Sequence, residues 1–391
     1  MSQPFSTTLL KKYSHNHARV TRITTAHGEI LTPAFMPVGT RAVVNHMTPY
    51  DLQQAGSQII LGGNTYHMLT APGLDTIQHA GGMHKFMGWH GPMLTDSGGF
   101  QIFSLSKNGK ICKIDEKGGH FKHPQSGKLL HMTPASSIQA QRIIGADIIM
   151  AFDQCTPEEG GREVAIEAMQ RTHRWLIESC DEFEKHRESP YGYQQALFGI
   201  IQGGSFQDLR LQSTEFIINL DLDGIAIGGE VIGFDMVKTA EVLSWVRPLL
   251  PENKIRYTMG VGLDPQDLID VVAQGIDIFD CVAPTRNARH GALYCGHMER
   301  NEDWFTFASE EPRARLLIKK SQYAQDERPI MENCECYTCQ NFSRSYLHFL
   351  FKQGSAAYSQ LACIHNIHVM HDVCATMREY IMHNCTDFGM E

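Results

Sequence analysis

Residues 275–290, Gly-Ile-Asp-Ile-Phe-Asp-Cys-Val-Ala-Pro-Thr-Arg-Asn-Ala-Arg-His, place a carboxylate where an apolar run stops. Ile276, Ile278 and Phe279 read as a short buried strand, Asp280 ends it, and a Pro-Thr-Arg loop follows at once. An acid at the mouth of an apolar strand is a poor core residue and a good reagent, because low dielectric and close neighbours tune it. Taken alone, the same residue could simply cap the next helix. Arg286 and Arg289 behind it suit a phosphate backbone. A second constellation is Cys334-Glu-Cys336-Tyr-Thr-Cys339, with His365 downstream. Three thiolates at this spacing plus one imidazole make a closed tetrahedral zinc site, structural because no ligand position is left open. His348 and His368 are alternative fourth ligands, and three unrelated buried thiols are the plainer reading.

These groups need elements to hold them, and a rhythm supplies these. Ile59–Leu61, Pro92–Thr95, Asp147–Phe152, Leu197–Ile201, Gly224–Ile227, Ile255–Thr258 and Ile276–Phe279 are short apolar runs, each ending in glycines or a polar side chain. A strand at 30–38 comes before them and makes eight. Helical stretches lie between most: Ser136–Ile144, Arg162–His186, Ser205–Ile218, Asp235–Val246 and Pro265–Gln274. Thr48-Pro49 opens a further helix over Tyr50–Ala55. Fully buried strands alternating with helices predict an α/β protein with a parallel sheet, and eight of them a (β/α)8 TIM barrel whose polar strand ends gather at one face. The open doubly wound alternative lacks a Gly-x-Gly-x-x-Gly turn in its first unit.

Two stretches break the rhythm. Residues 104–133 hold two strand-like segments, Lys110–Ile114 and Lys128–Met132, and read as an antiparallel β insertion after strand 3. Residues 291–365 follow strand 8 and read as a zinc-binding subdomain, with a closing helix at about 367–384. The whole of 1–391 is otherwise one barrel domain.

Size and composition agree with this. A chain of 391 residues with 42% hydrophobic and 20% charged content can bury a large core. No apolar run is long enough to span a bilayer, and the first 30 residues are too polar for a secretory signal. Eleven cysteines, an odd number, suit free thiols in a reducing cytoplasm. A net charge of −9 argues against nucleic-acid binding by the whole surface. A local basic stretch remains at Arg286, Arg289, Arg300, Arg313, Arg315, Lys319 and Lys320, interleaved with acids.

Asp96-Ser-Gly-Gly-Phe-Gln, Gly199-Ile-Ile-Gln-Gly-Gly, Met259-Gly-Val-Gly, Phe279-Asp-Cys-Val-Ala-Pro-Thr-Arg and the Cys334, Cys336, Cys339 and His365 set together resemble the tRNA-guanine transglycosylases of bacterial type. The resemblance runs from about residue 15 to 385, with the motifs in the same order. It implies a (β/α)8 homodimer with one structural zinc ion per subunit. The reaction it implies exchanges the wobble guanine of tRNAs with a uridine-guanine-uridine anticodon context for a 7-deazaguanine, in queuosine biosynthesis.

Remaking a glycosidic bond at the same carbon with retained configuration calls for two displacements. The resemblance makes Asp280 the nucleophile toward the ribose C1′ and Asp96 the general acid/base. It implies that Asp153, Gln202 and the Gly229 N–H read the guanine edge, and that Phe100 and Met259 sandwich the ring. Many relatives carry Tyr where Phe100 stands. Ser97, Asn64 and Tyr257 are implied supports for the two aspartates, while Arg286 and Arg289 would hold anticodon-loop phosphates, so that binding weakens as salt rises.

Cys155 fits the bacterial pattern and favours 7-aminomethyl-7-deazaguanine as the incoming base, with queuine itself the alternative. Gln154 stands where bacterial relatives have Glu, and Glu230-Val231 where they have Leu-Ala. Two other classes are weighed. A metal-dependent barrel hydrolase would need histidines at several strand ends, and only His67 sits near one. A non-catalytic tRNA-binding subunit would lack the aspartate pair that is present here.

Overall fold

In the computed structural model, which describes residues 4–107, 111–124 and 126–384, parallel strands close into a barrel. They are β1 (Ala34–Pro37), β2 (Ile60–Asn64), β3 (Met93–Asp96), β4 (Ile148–Met150), β5 (Ala196–Ile201), β6 (Gly224–Ile227), β7 (Ile255–Thr258) and β8 (Ile278–Cys281). The order around the eight-stranded sheet is β1-β8-β7-β6-β5-β4-β3-β2. A parallel bridge from Val38 to Leu61 completes the ring between β1 and β2. The fold is a (β/α)8 TIM barrel, with an antiparallel β insertion after strand 3 and an insertion carrying the Cys/His cluster after strand 8.

The apolar runs follow from burial on both faces. Ile148, Met150, Phe198, Ile200, Ala226 and Ile278 point inward and fill the barrel, whereas Ile149, Leu197, Ile201, Ile225 and Phe279 point outward to the helices. The alternation has the strand period of two. Helices begin where the sequence offers caps: Thr48 and Thr133 each make a capping box, with Pro49 and Pro134 in the first turn. The long connections are Pro134–Ile144, Gly161–Lys185, Gln207–Ile218, Met236–Val246 and Pro265–Ala273.

The strand expected at 30–38 is two strands. Gly28–Leu31 pairs with Arg19–Thr25, and only Ala34–Pro37 enters the barrel. Pro33, which has no N–H to give to a ladder, separates them. Ser6–Lys12 adds a third strand to this antiparallel sheet. The sheet caps the strands' N-terminal ends, where Ile23 and Ile30 join the inner core. Arg19 fixes it there, donating from Nε to Asp277 Oδ1 at 2.9 Å and from Nη2 to Oδ2 at 2.5 Å, in a pair closed to solvent.

After β3, the helix Gly99–Ser106 overlaps the start assigned to the insertion. The insertion's antiparallel strands are Cys112–Asp115, Gly118–Lys122 and Leu129–Met132, the middle one not anticipated. Lys110, expected in the first of them, lies outside the described residues. After β8, two small two-stranded sheets and the helices Tyr337–Asn341 and Arg344–Lys352 lead to the closing helix, Ala356–Asn384. That helix starts earlier than expected, so His365 lies on it. No described helix is long and apolar enough to cross a membrane.

Candidate active site

A cavity of about 330 Å³ opens at the C-terminal ends of the strands. Asn64, Asp96, Ser97, Phe100, Asp153, Gln202, Gly229, Tyr257, Met259 and Asp280 all line it. These are the residues assigned from the sequence to catalysis and base binding, brought together from seven separate strand ends.

Asp280 accepts the Tyr257 hydroxyl at 2.6 Å and the Gly260 N–H at 3.2 Å, both on Oδ1. Burial lifts its carboxyl above the usual range, while these two donors pull it back. Across the same cavity, Asp96 accepts from Asn64 Nδ2 and, on Oδ1, from the Thr65 N–H at 3.3 Å and the Gly98 N–H at 3.1 Å. Burial nevertheless pushes its pKa up to about 7, and the neighbouring charge of Asp280 adds to the rise. Two acids thus share one cavity in different surroundings, the arrangement that separates a proton carrier from an ionised partner.

Asp153 stands deeper, with Ser97 Oγ donating to Oδ1 at 3.1 Å and Gln202 Nε2 to Oδ2 at 2.9 Å. Burial raises its pKa to about 6. Gln202 Oε1 accepts from the Thr156 N–H at 3.2 Å and hydroxyl at 3.0 Å, so its amide is locked between the loops after β4 and β5. Gly99 makes this approach possible, since a Cβ there would lie 2.3 Å from the Asp153 carbonyl oxygen. Ser97 thus supports Asp153 rather than either acid of the pair, whereas Asn64 and Tyr257 do contact Asp96 and Asp280. Phe100, 47% exposed, and Met259 are apolar walls.

Arg286 and Arg289 lie on the helix Ala283–Arg289 that follows β8 directly. Arg286 is exposed, and Arg289 Nε donates to the Thr285 carbonyl at 3.1 Å. Arg315, counted in the basic stretch, is ion-paired with Asp264 at 2.5 Å. Several groups at the site carried no signal in the sequence reading: the Thr65 and Gly260 N–H groups, Thr156, and Lys107, which pairs with Glu230 of the cavity lining. Each acts through a long-range approach that residue type alone does not reveal.

Cys334, Cys336, Cys339 and His365 form a buried cluster away from these acids in sequence. The three sulfurs lie 3.7, 3.5 and 3.4 Å from His365 Nδ1. A tetrahedral ion with ordinary Zn–S and Zn–N bonds separates such ligand atoms by about 3.6 Å. His365 Nε2 lies 2.7 Å from the Tyr294 carbonyl oxygen, which takes its proton and leaves Nδ1 for a metal. His348, one of the alternatives, has its Nδ1 at the Ile318 carbonyl instead, at 2.7 Å. The donor set fits a metal ion, and all ten described cysteines are free of disulfides.

The family model described as queuine tRNA-ribosyltransferase matches residues 14–388. Proteins of that name from Janthinobacterium sp. (strain Marseille) and Azoarcus sp. (strain BH72) are 45% and 44% identical, over 93% of this chain and 92% and 91% of theirs. One from Enterococcus faecalis is 41% identical over 96% of this chain and 91% of its own.

Proposed function

The chain belongs to the queuine tRNA-ribosyltransferase family, a family of pentosyltransferases that exchange a tRNA guanine, and on that premise we propose how its residues carry out the exchange. The substrate is the wobble guanine of tRNAs whose anticodon has uridine on both sides of it, and the incoming base is a 7-deazaguanine, with the 7-aminomethyl form favoured over queuine.

Asp280 attacks C1′ of the ribose, and the C1′–N9 bond breaks with its electron pair leaving on guanine. Asp96 gives its proton to the departing base. A covalent aspartyl-ribosyl RNA remains while guanine is replaced by the new base. Asp96 then takes the proton from that base, which attacks C1′ and expels Asp280, so configuration is retained overall. The observation that carries this reading is the contrast between the two half-buried acids. Burial and the charge of Asp280 push Asp96 up to about 7 in spite of its three donors, whereas on Asp280 the Tyr257 hydroxyl and the Gly260 N–H pull the carboxyl back toward its ionised form.

Asp153, Gln202 and the Gly229 N–H address the base edge, and Phe100 and Met259 enclose its faces. Ser97, Asn64 and Tyr257 are positioning residues, which agrees with their hydrogen bonds to Asp153, Asp96 and Asp280. Arg286 and Arg289 hold phosphates of the anticodon loop. Cys334, Cys336, Cys339 and His365 bind one zinc ion per subunit, which ties the residue 291–365 subdomain to the closing helix and takes no part in the chemistry. The enzyme works as a cytoplasmic homodimer.

The test is incubation with tRNA and radiolabelled guanine, followed by denaturing electrophoresis. The reading requires label in tRNA and an RNA-protein adduct that Asp280→Asn does not form. An adduct that persists in Asp280→Asn would assign the nucleophile elsewhere.

A further inference from the structure

The cavity lining holds four carboxylates, Asp96, Asp153, Asp280 and Glu230, and among the described residues neither a lysine nor an arginine. The exchange leaves an electron pair on the departing base, and a wall of acids opposes that. A cation stands one layer behind the wall. Arg210, on the helix Gln207–Ile218 that follows β5, is completely closed to solvent. Its Nη1 donates to the carbonyl of Ile201, the last residue of β5, at 2.9 Å, and to that of Gly228, just past β6, at 2.8 Å. Nε donates to the Gly204 carbonyl at 2.7 Å. One side chain thus ties the loop after β5, which carries Gln202, to the loop after β6, which carries Gly229.

Nη2 makes no hydrogen bond. It abuts Gly229, where a Cβ would stand 2.9 Å from Nη2 and 3.3 Å from Gln202 Oε1. No ion pair among the described residues includes Arg210, and burial lowers its pKa to about 10, which leaves it charged at neutral pH. Enclosing a cation without an anion in contact is costly, and bracing two loops does not by itself require one. The charge is felt at the lining. Burial pushes the Cys155 thiol well up, Asp153 and Glu230 add to the rise, and Arg210 acts against it.

We propose that Arg210 is a positioning residue for the exchange: its guanidinium fixes the separation of the Gln202 and Gly229 loops, and its charge favours electron density on a base held against them. This inference rests on the exchange reading above, which puts the base in this cavity. Substitution separates the two parts. A lysine keeps the charge and loses the planar fork that reaches the three carbonyls. A methionine loses both.

The experiment measures guanine affinity by calorimetric titration, tRNA capture by filter binding, and single-turnover release of radiolabelled guanine from tRNA under excess enzyme. Arg210→Lys and Arg210→Met should each bind guanine about tenfold more weakly, the worth of one lost hydrogen bond from a charged donor. Arg210→Met should in addition release guanine at least about tenfold more slowly than Arg210→Lys. Equal release rates in the two variants, or undiminished guanine affinity in both, overturn the proposal. So does a fall in tRNA capture as large as the fall in guanine affinity, because Arg210 would then serve the fold at large. Where Arg210→Met does not fold, Arg210→Lys decides alone: a loss concentrated in guanine affinity supports the proposal, and one shared equally by affinity and release overturns it. Failure of the unaltered enzyme to release any guanine from tRNA would instead strike the exchange reading itself, a result distinct from a difference between variants.

Discussion

Tyr257 on β7 donates its phenolic hydrogen to Asp280 on β8 at 2.6 Å, from a side chain fully enclosed by protein. The bond favours the ionised carboxylate against the burial that opposes it. Tyr257→Phe keeps the ring's volume and removes only the donor, so the Asp280 pKa should rise and the acid limb of the rate profile should move to higher pH. At the acid end, loss of one such bond should lower kcat/KM roughly ten- to a hundredfold. The measurement is kcat/KM for tRNA from about pH 5 to about pH 9. An acid limb that does not move would leave Tyr257 a packing residue.

The same profile in the unaltered enzyme has a second constraint. In the proposed role Asp153 accepts from the base as a carboxylate, so binding should weaken below about pH 6. Asp96 serves as an acid only when protonated, so the first displacement should slow above about pH 7. Both pKa values are raised by burial, and the signs therefore place the optimum in a narrow window between them. A rate that stays level well above neutrality would show that Asp96 does not deliver the proton in the limiting step.

The barrel was legible because strands buried on both faces must be apolar throughout, and β6 and β7 fall at the residues read from the sequence. Ser6–Lys12 was not, because it lies on a sheet edge and mixes threonines and lysines with its leucines. The strand at 30–38 was read as one because the chain on both sides of Pro33 is apolar, and only the pairing partners separate the two halves. At the site, side chains that end strands could be found from their types. Gly260 and Thr65 reach the two carboxyl groups through backbone N–H groups, and Lys107 meets Glu230 across a gap of more than a hundred residues. Those contacts depend on closure of the barrel, which no local pattern encodes.

Removal of the metal should be felt far from the chemistry. The Cys334, Cys336 and Cys339 turn and His365 on the closing helix are joined at their side chains, and that helix packs along the barrel against the strand β1 and the helix Ala283–Arg289. Stripping the ion with a strong chelator leaves three buried thiols and an imidazole without their common partner, and the loop between them regains its freedom. Faster hydrogen exchange is expected across about residues 300–365, with β4 to β7 still protected. Cys336→Ser should reproduce it without chelator. Protection unchanged throughout, or zinc absent from the purified protein, would remove the metal from the fold.

Gly99 tests whether the base slot is rigid. A Cβ at this position would lie 2.3 Å from the Asp153 carbonyl oxygen and 2.5 Å from its Oδ1. The first of these is backbone, so it cannot swing aside as a side-chain tip could. Gly99→Ala must therefore push the loop bearing Asp153 away from the helix that carries Phe100, widening the slot between the edge-reading acid and the stacking wall. Overpacking of this kind costs about 1–3 kcal/mol, and here the displacement falls on the atoms proposed to grip the base. Guanine affinity should fall at least about tenfold by calorimetric titration, while the thermal midpoint drops by only a few degrees. If guanine bound Gly99→Ala as tightly as the unaltered enzyme, Asp153 would be free to retreat without loss, and its hydrogen bonds to Ser97 and Gln202 would not be what fixes the base.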